Sequence, residues 1–456
     1  MATCTPRQAW LTLLRRIHFY IGLFVGPFIF IAALSGTLYV ATPQLENTFY
    51  SRALFSDARG PAHPLAEQID VAQQVTGGHL RLHAVRPAAE TGETTRVMYA
   101  DPALGVSENQ AVFIDPVTLE VRGDMTVYGT SGILPLRQWI DYLHRSLLLG
   151  DVGRLYSELA ASWMWVAALG GIVLWWMTRP RKVLKNRFQK TRRLHVTLGW
   201  VLLAGMLLFS ATGLTWSQWA GGNVDKLRTA FGWLTPQVNT ALHGTTPEVH
   251  DPHAEHHMHH DMADMPTLHI ASQQFDGVLA AARRAGIDAG MLEICPPREA
   301  GKAWTVTEID RRWPTQVDAV AVDGASLVVV DKVNFADFPL MAKLTRWGVD
   351  LHMGVLFGLP NQLLLIAFGI GLCVMIVVGY RMWWIKRPAG AAASPAQTIT
   401  QTWQALGTGG KCLTLLITLG LGIALPVMGV SMLLFFIVDI LRWRSARPAP
   451  RHSSFT

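Results

Sequence analysis

The hydrophobic positions of this chain are gathered into long runs that contain no Asp, Glu, Lys or Arg. The runs cover residues 19–44, 159–178, 196–222, 353–380 and 412–438. A helix needs about 20 mostly apolar residues to cross the hydrocarbon core of a bilayer. Half of the residues are hydrophobic and only 16% are charged. The pattern predicts an α-helical membrane protein with five spanning helices.

Four of these runs form an internal duplication. Arg15-Arg16-Ile17-His18 opens the first run, and Arg192-Arg193-Leu194-His195 opens the third, 177 positions later. A second set repeats at an offset of 208 and pairs Leu143-His144 with Leu351-His352, Gly150 with Gly358, Gly171 with Gly379, and Trp175-Trp176 with Trp383-Trp384. We therefore expect a four-helix core bundle in which each half supplies two membrane helices and two histidines.

The polar segments between the membrane runs also repeat at the offset of 208. Residues 111–115 align with 319–323, and each segment is typical of a strand that precedes a turn, at Asp115-Pro116 or Asp323-Gly324, and a returning strand. A helical stretch precedes each of them, at 64–77 and at 271–286. The sequence predicts two small α+β modules, at residues 45–134 and 223–339.

Basic residues predict the orientation. The loop 179–193 holds eight Lys or Arg, and Arg7, Arg15 and Arg16 lie near the N-terminus. Cytoplasmic loops carry such an excess. The N-terminus is therefore expected in the cytoplasm and both modules on the opposite side, which is the periplasm for a protein of a bacterial inner membrane. The net charge of +7 reflects this topology and not binding to nucleic acid.

The predicted organisation follows the chain in ten segments. In order they are the N-terminus with the first helix (1–44), the first module (45–134), an amphipathic segment with the second helix (135–178), the basic loop (179–193), the third helix (194–222), the second module (223–339), an amphipathic segment with the fourth helix (340–385), a cytoplasmic linker (386–411), the fifth helix (412–441) and a basic tail (442–456). Pro426 lies in the middle of the fifth run, where we expect one kinked span in preference to a re-entrant hairpin.

A tract rich in His and Met lies within the second module, at about 250–265. The offsets of 177 and 208 differ by 31 residues, which indicates an insertion in this interval. Imidazole and thioether groups bind copper, and imidazole also binds zinc, nickel and iron. The candidate metal ligands, for Fe or Cu, are His253, His256, His257, Met258, His259 and His260. The alternative is a solvated linker that binds metal only adventitiously.

The four repeated histidines lie at the ends of membrane helices. His18 and His195 are one turn inside their arginines, and His144 and His352 approach from the other end on short amphipathic helices that bend near Gly150 and Gly358. Ionisable residues at such positions usually face the bundle interior, and two facing imidazoles can hold one b-type heme. Two pairs predict two b-type hemes, without covalent attachment because no Cys-x-x-Cys-His is present. The alternative is an interhelical hydrogen bond or an interfacial side chain.

These motifs resemble the PepSY-associated transmembrane family. The resemblance extends from Leu14 to about Arg387 and depends on Arg16-Ile17-His18, Ser35-Gly36, Leu143-His144-Arg145, Trp175-Trp176, Leu194-His195 and Leu351-His352. It implies PepSY-like modules in the periplasm and a diheme reductase that passes electrons to a ferric siderophore or another Fe(III) chelate in iron acquisition.

The electron donor is expected outside this chain. No GxGxxG fingerprint is present, and the cytoplasmic loops are too short for a nicotinamide or flavin domain. A quinol or a cytoplasmic reductase would supply the electrons. Two other functions remain open from the sequence: a non-enzymatic component of metal uptake, and a periplasmic binding or regulatory module on a membrane anchor.

Overall fold

The computed structural model describes residues 6–178, 186–242, 270–386 and 399–445. The chain forms two compact units. The membrane unit comprises Met1–Thr37, Tyr142–Leu227 and Leu364–Thr456, and the sheet unit comprises Leu38–Asp141 and Arg228–Leu363.

The elements follow one another in an order that the internal duplication repeats. The helices are α1 (Pro6–Tyr20), α2 (Gly26–Val40), α3 (Thr42–Phe49), α4 (Ser51–Leu54), α5 (Leu65–Val75), α6 (Pro135–Ser146), α7 (Gly150–Met177), α8 (Arg187–Val201), α9 (Leu203–Thr215), α10 (Trp219–Ala230), α11 (Gln274–Arg284), α12 (Leu340–His352), α13 (Gly358–Lys386), α14 (Ile399–Gln404), α15 (Thr408–Ala424) and α16 (Pro426–Ser445). The strands are β1 (Arg81–Arg86), β2 (Thr95–Ala100), β3 (Glu108–Ile114), β4 (Val121–Tyr128), β5 (Leu292–Cys295), β6 (Trp304–Glu308), β7 (Ala319–Val322) and β8 (Val329–Val333).

Among the described residues, four helices are long and apolar enough to cross a membrane, and a bent pair brings the number to five. The four are Arg7–Val40, Gly150–Met177, Gly358–Lys386 and Pro426–Arg444. The fifth consists of α8 and α9, which meet at an angle of 57°. The prediction of a helical membrane protein is therefore confirmed.

Both copies of the first repeated helix depart from α-helical geometry at the same place. In the first copy, a π-helix at Ile21–Val25 separates α1 from α2. In the second copy, the break between α8 and α9 falls at Leu202, which the offset of 177 aligns with Val25. Short π-helical segments are frequent at functional sites. The duplication thus extends to a local irregularity just beyond each histidine.

The region of the expected fifth helix differs from the prediction of one kinked span. Helix α15 ends at Ala424, the next residue, Leu425, has a non-helical φ of −124° and ψ of 84°, and α16 starts at Pro426. Beyond this break the chain turns back, because a Cβ on Gly429 would lie 2.8 Å from the carbonyl oxygen of Gly422. Proline at the first position of a helix costs no hydrogen bond. Pro426 therefore begins a new helix and does not kink an old one.

The first half of α15 and the last turns of α16, which lie away from the turn between these helices, both contact α14. Trp403 Nε1 donates to Thr414 Oγ1 in the first half of α15 at 2.9 Å. The backbone N–H of Thr400 donates to Asp439 Oδ2 near the end of α16 at 2.7 Å. Two helices that touch at the turn and return to one short helix are antiparallel. We call residues 408–445 the C-terminal hairpin.

The sheet unit contains one eight-stranded antiparallel sheet in the order β4-β3-β2-β1-β5-β6-β7-β8. Each repeat contributes a four-stranded meander, and the two meanders join where Val85 of β1 pairs with Ile294 of β5. The sequence predicted two modules, and their strands are present, but they share one sheet. Joining removes one exposed strand edge from each repeat.

Contacts between the repeats reinforce this join. Arg86 Nη2 lies 2.7 Å from Glu293 Oε2, and Asp276 of α11 accepts the backbone N–H groups of Leu65 and Ala66 at the start of α5. Burial alone would raise the pKa of Glu293, but the Arg86 and His83 charges outweigh it and hold that pKa below its usual value. Helices α5 and α11 cover one face of the sheet. There the ring of Phe275 packs edge-on against that of Trp304, with the ring centroids 4.7 Å apart.

The C-terminal hairpin predicts that Thr408 and Arg444 lie on the same side of the membrane. Cysteines placed singly at Thr408, Ala424 and Arg444, in a chain whose native cysteines are replaced by serine, would be treated with an impermeant maleimide. In vesicles of known orientation, 408 and 444 should react from one side and 424 from the other. Labelling of positions 408 and 444 from opposite sides would contradict the hairpin and support the single kinked span.

Candidate functional site

His18 lies near the end of α1 and packs against a glycine of α7. A Cβ added to Gly171 would lie 3.2 Å from His18 Cε1, and one added to Gly170 would lie 4.0 Å from Nδ1. The Nδ1 atom of His18 is buried without a hydrogen-bond partner among the described residues. The ring therefore rests with its Nδ1–Cε1 edge on the backbone of α7.

His195 in α8 has the same relation to α13. A Cβ on Gly379 would lie 3.5 Å from His195 Cε1 and 3.7 Å from Nδ1. His195 Nδ1 lies 3.1 Å from the carbonyl oxygen of Met375. A carbonyl only accepts, so Nδ1 carries the proton and Nε2 carries the lone pair. This is the tautomer of histidines that bind a metal through Nε2.

The two imidazoles come together in the membrane unit. Their ring centroids are 6.4 Å apart, and the rings are inclined at 80°. Metal–imidazole bonds of about 2.0–2.1 Å to one nitrogen of each ring would place two opposed centroids roughly 6.3 Å apart. The spacing would therefore allow both imidazoles to hold one metal group.

The side chains beside this pair leave space. A Cβ on Gly22 would meet no atom within 4 Å, and a Cβ on Gly199 would meet only Met375 Sδ, at 3.9 Å. Both glycines lie four residues after a histidine, and residues i and i+4 share a helix face. The site thus combines two opposed imidazoles with two positions that lack a side chain, which fits a flat macrocycle between the rings.

His144 at the end of α6 also reaches a membrane helix. Its Nδ1 lies 3.0 Å from Ser35 Oγ, and a Cβ on Gly36 would lie 3.1 Å from its Cε1. Ser35 Oγ donates to the Ile31 carbonyl at 2.7 Å, so it accepts from His144, which places the proton of that imidazole on Nδ1. The expected bend follows, with Leu147, Leu148 and Gly150 all at positive φ.

His352 ends α12, and it belongs to the sheet unit, whereas His144 belongs to the membrane unit. The Arg311 Nε atom lies 3.0 Å from Oδ1 of Asp350, which is fully buried in the same helix. Burial raises the pKa of Asp350, and the guanidinium of Arg311 opposes that rise. Gly358 has a φ of +58°, so the bend at the start of α13 is present as well. The pairing of His352 with His144 stays a prediction.

The His/Met tract, with its candidate ligands 253, 256–260, lies outside the described residues. Within the four described ranges, no group of three or more His, Cys, Asp or Glu side chains is arranged to hold a metal ion.

Three residues of the site have no role predicted from the sequence: Gly171, Gly379 and Met375. Gly171 and Gly379 belong to the repeat at the offset of 208, and each forms the surface on which one histidine rests. Their repetition together with the histidines was the available signal. The Met375 carbonyl has no sequence signal, because any residue supplies the same backbone group.

The family model of the PepSY-associated TM region matches residues 15–386. The chain belongs to this family. The match includes all four repeated histidines and both polar segments, and it confirms the resemblance found in the motifs. It ends before α14, so the C-terminal hairpin of this PepSY-associated TM protein lies beyond the matched region. No curated protein matches the chain significantly.

The open space beside Gly22 predicts that a large side chain is tolerated by the fold but not by a bound macrocycle. Gly22→Leu should leave yield, detergent elution volume and thermal stability within the range of Gly22→Ala, while bound heme per chain falls by about half, because only the inner of the two predicted hemes is blocked. The measurement is heme per chain by pyridine hemochromogen assay. If Gly22→Leu unfolds the protein, Gly22 is a helix-packing glycine. Full heme occupancy in a folded Gly22→Leu protein would place the macrocycle elsewhere.

Proposed function

We propose that this protein is a b-type diheme reductase of the bacterial inner membrane. It passes electrons to a metal complex on the periplasmic side, with a ferric siderophore or another Fe(III) chelate as the substrate. The observation that supports this proposal most directly is the opposed pair of His18 and His195 at a centroid distance of 6.4 Å. An interhelical hydrogen bond between the rings would not require the space beside Gly22.

The residues of the pair have distinct roles in the proposal. A b-type heme, when bound, supplies reversible one-electron transfer. His195 offers Nε2 as a ligand because the Met375 carbonyl fixes the proton on Nδ1. Gly171 and Gly379 allow each ring to lie directly on the neighbouring helix, which sets the ring orientation. Ile21, Val25 and Met375 belong to one apolar core, and Met375 is also the residue whose carbonyl accepts from His195.

The orientation follows from the basic residues. In the proposed topology the N-terminus and the loop 179–193 face the cytoplasm. The C-terminal hairpin is consistent with it, because Arg442 Nη1 lies 3.4 Å from the hydroxyl of Tyr20 at the end of α1, so Arg442 and Arg444 return to the side of the N-terminus. If residues 412–441 formed a single span, Arg442 and Arg444 would lie on the side of the membrane opposite the N-terminus.

The sheet unit takes the periplasmic side in this proposal, as PepSY-like modules that meet the substrate. Reduction of Fe(III) to Fe(II) weakens a chelate of hard oxygen ligands and so releases the iron. The donor is a quinol or a cytoplasmic reductase. The His/Met tract at 250–265 is proposed as a capture segment for Fe or Cu.

Loss of either inner histidine should remove one b-type heme. Purified His18→Ala and His195→Ala proteins should lose about half of the bound heme and the corresponding part of the Soret and α bands. His63→Ala is the matched control, since His63 is an exposed imidazole paired with Glu67 in the sheet unit. Unchanged spectra in folded His18→Ala and His195→Ala proteins would exclude heme ligation by this pair.

A conservative variant separates ligation from folding. His195→Met keeps a residue that can bind heme iron, and methionine in place of histidine raises the reduction potential. The expected result is retained heme with a shifted α band and a more positive midpoint in a redox titration. A parent-like potential with full occupancy would contradict the assignment of His195.

The second predicted pair is tested by stoichiometry. If His144 and His352 ligate a heme, His144→Ala and His352→Ala should each reduce bound heme from two per chain to one and leave the remaining spectrum that of the inner site. A double variant that combines His18→Ala with either of these substitutions should bind no heme. A parent protein with one heme per chain that is indifferent to His352→Ala would leave only the inner site.

A further inference from the structure

Four aromatic rings form a row in the sheet unit that leads to the start of the membrane helix α13. The ring centroids of Phe335 and Trp347 are 5.8 Å apart, and those of Trp347 and Trp313 are 5.6 Å apart. The centroids of Trp313 and Phe357 are 6.3 Å apart. Phe357 directly precedes Gly358, the first residue of α13. We call Phe335, Trp347, Trp313 and Phe357 the aromatic row.

The row is open on one side. Trp313 is 57% exposed and Phe357 is 52% exposed. Helix α12 extends this surface, because Leu340, Leu344 and Trp347 recur at the spacing of one helix face and both leucines are exposed. A contiguous apolar surface of this kind on a folded unit marks a contact with a protein or a membrane.

Chain continuity indicates which contact it is. Leu359 and Leu363, in the first two turns of α13, are each 58% exposed, so the lipid-facing surface of that helix begins two residues after Phe357. The backbone N–H of Trp313 donates to the Leu356 carbonyl at 2.8 Å, which ties the β6–β7 loop to the residue before Phe357. The loop therefore lies within a few residues of the point where α13 enters the bilayer.

The neighbouring charges fit a headgroup layer. Lys343 Nζ lies 5.8 Å from the centre of the Phe335 ring, and Arg312, next to Trp313, has a side chain that is 59% exposed and paired with Asp310 at 2.6 Å. Tryptophan prefers the membrane–water interface, where its ring contacts acyl chains and its N–H contacts polar groups. Lysine and arginine favour the adjacent anionic phosphates.

We propose that the aromatic row and the exposed face of α12 insert into the headgroup layer of the bilayer, so that the β6–β7 loop is a membrane-contact loop of the sheet unit. The partner is lipid, with the rings at the boundary between headgroups and acyl chains. The spanning helices hold the chain in the membrane. The row adds a second contact that fixes the sheet unit against the surface of that membrane. It does not depend on heme binding.

The test places a bimane fluorophore on Trp313→Cys in a full-length chain whose four native cysteines are replaced. The protein is reconstituted in phosphatidylcholine–phosphatidylglycerol vesicles with or without lipid that carries a nitroxide at the fifth acyl carbon. Val328→Cys is the matched control, since Val328 is an apolar residue of the β7–β8 turn with 60% exposure. Leu363→Cys reports contact with α13.

Lipid nitroxide should quench the label at 313 about threefold more than the label at 328, because an interfacial side chain lies roughly 5–10 Å deep. Aqueous iodide should quench the two in the opposite order. Equal lipid quenching at 313 and 328 overturns the proposal. A label at 313 shielded from both quenchers also overturns it, because a protein then covers the row. If Trp313→Cys does not fold, the exposed Leu344→Cys serves in its place with the same two outcomes.

Discussion

The placement of two imidazoles inside an apolar bundle is the constraint on which the membrane unit depends. A buried polar group without a partner costs a few kcal/mol, and the cost is greater where hydrocarbon replaces water. His195 meets half of this requirement through the Met375 carbonyl. The Nδ1 atom of His18, whose ring centroid lies 6.4 Å from that of His195, is buried without a hydrogen-bond partner in the part of the chain that the structure describes. In the proposed function, His195 would offer Nε2 and His18 a ring nitrogen to one metal group.

This requirement accounts for the glycines around the site. An imidazole can rest on a neighbouring helix only where that helix lacks a side chain, which explains Gly171 beneath His18 and Gly379 beneath His195. The helices that carry the histidines change geometry within the next two turns, at Ile21–Val25 and at Leu202. Two copies of one helix that share a histidine, a glycine and an irregularity describe a single site built from a duplicated unit.

The sequence predicted the features that are local or repeated. Long uncharged runs predicted the spanning helices, and the offsets of 177 and 208 predicted which residues are equivalent. The C-terminal hairpin was not predicted, because a proline within an apolar run is compatible with a kink and with a new helix start. The basic residues Arg442 and Arg444 contained the missing information, since only a reversal returns them to the side of the other basic segments. The single sheet was also missed, because the pairing of Val85 with Ile294 joins residues far apart in sequence.

The C-terminal hairpin connects the region beyond the family match to the candidate site. Asp439 is buried in α16 and accepts the backbone N–H groups of Ile399 and Thr400 and the hydroxyl of Tyr20, two residues after His18. A carboxylate with this many donors is stable in an apolar setting, whereas an unpaired one would not be. Met428 and Met432 pack into the same core as Ile21. The hairpin therefore forms a wall of the bundle beside the helix of His18.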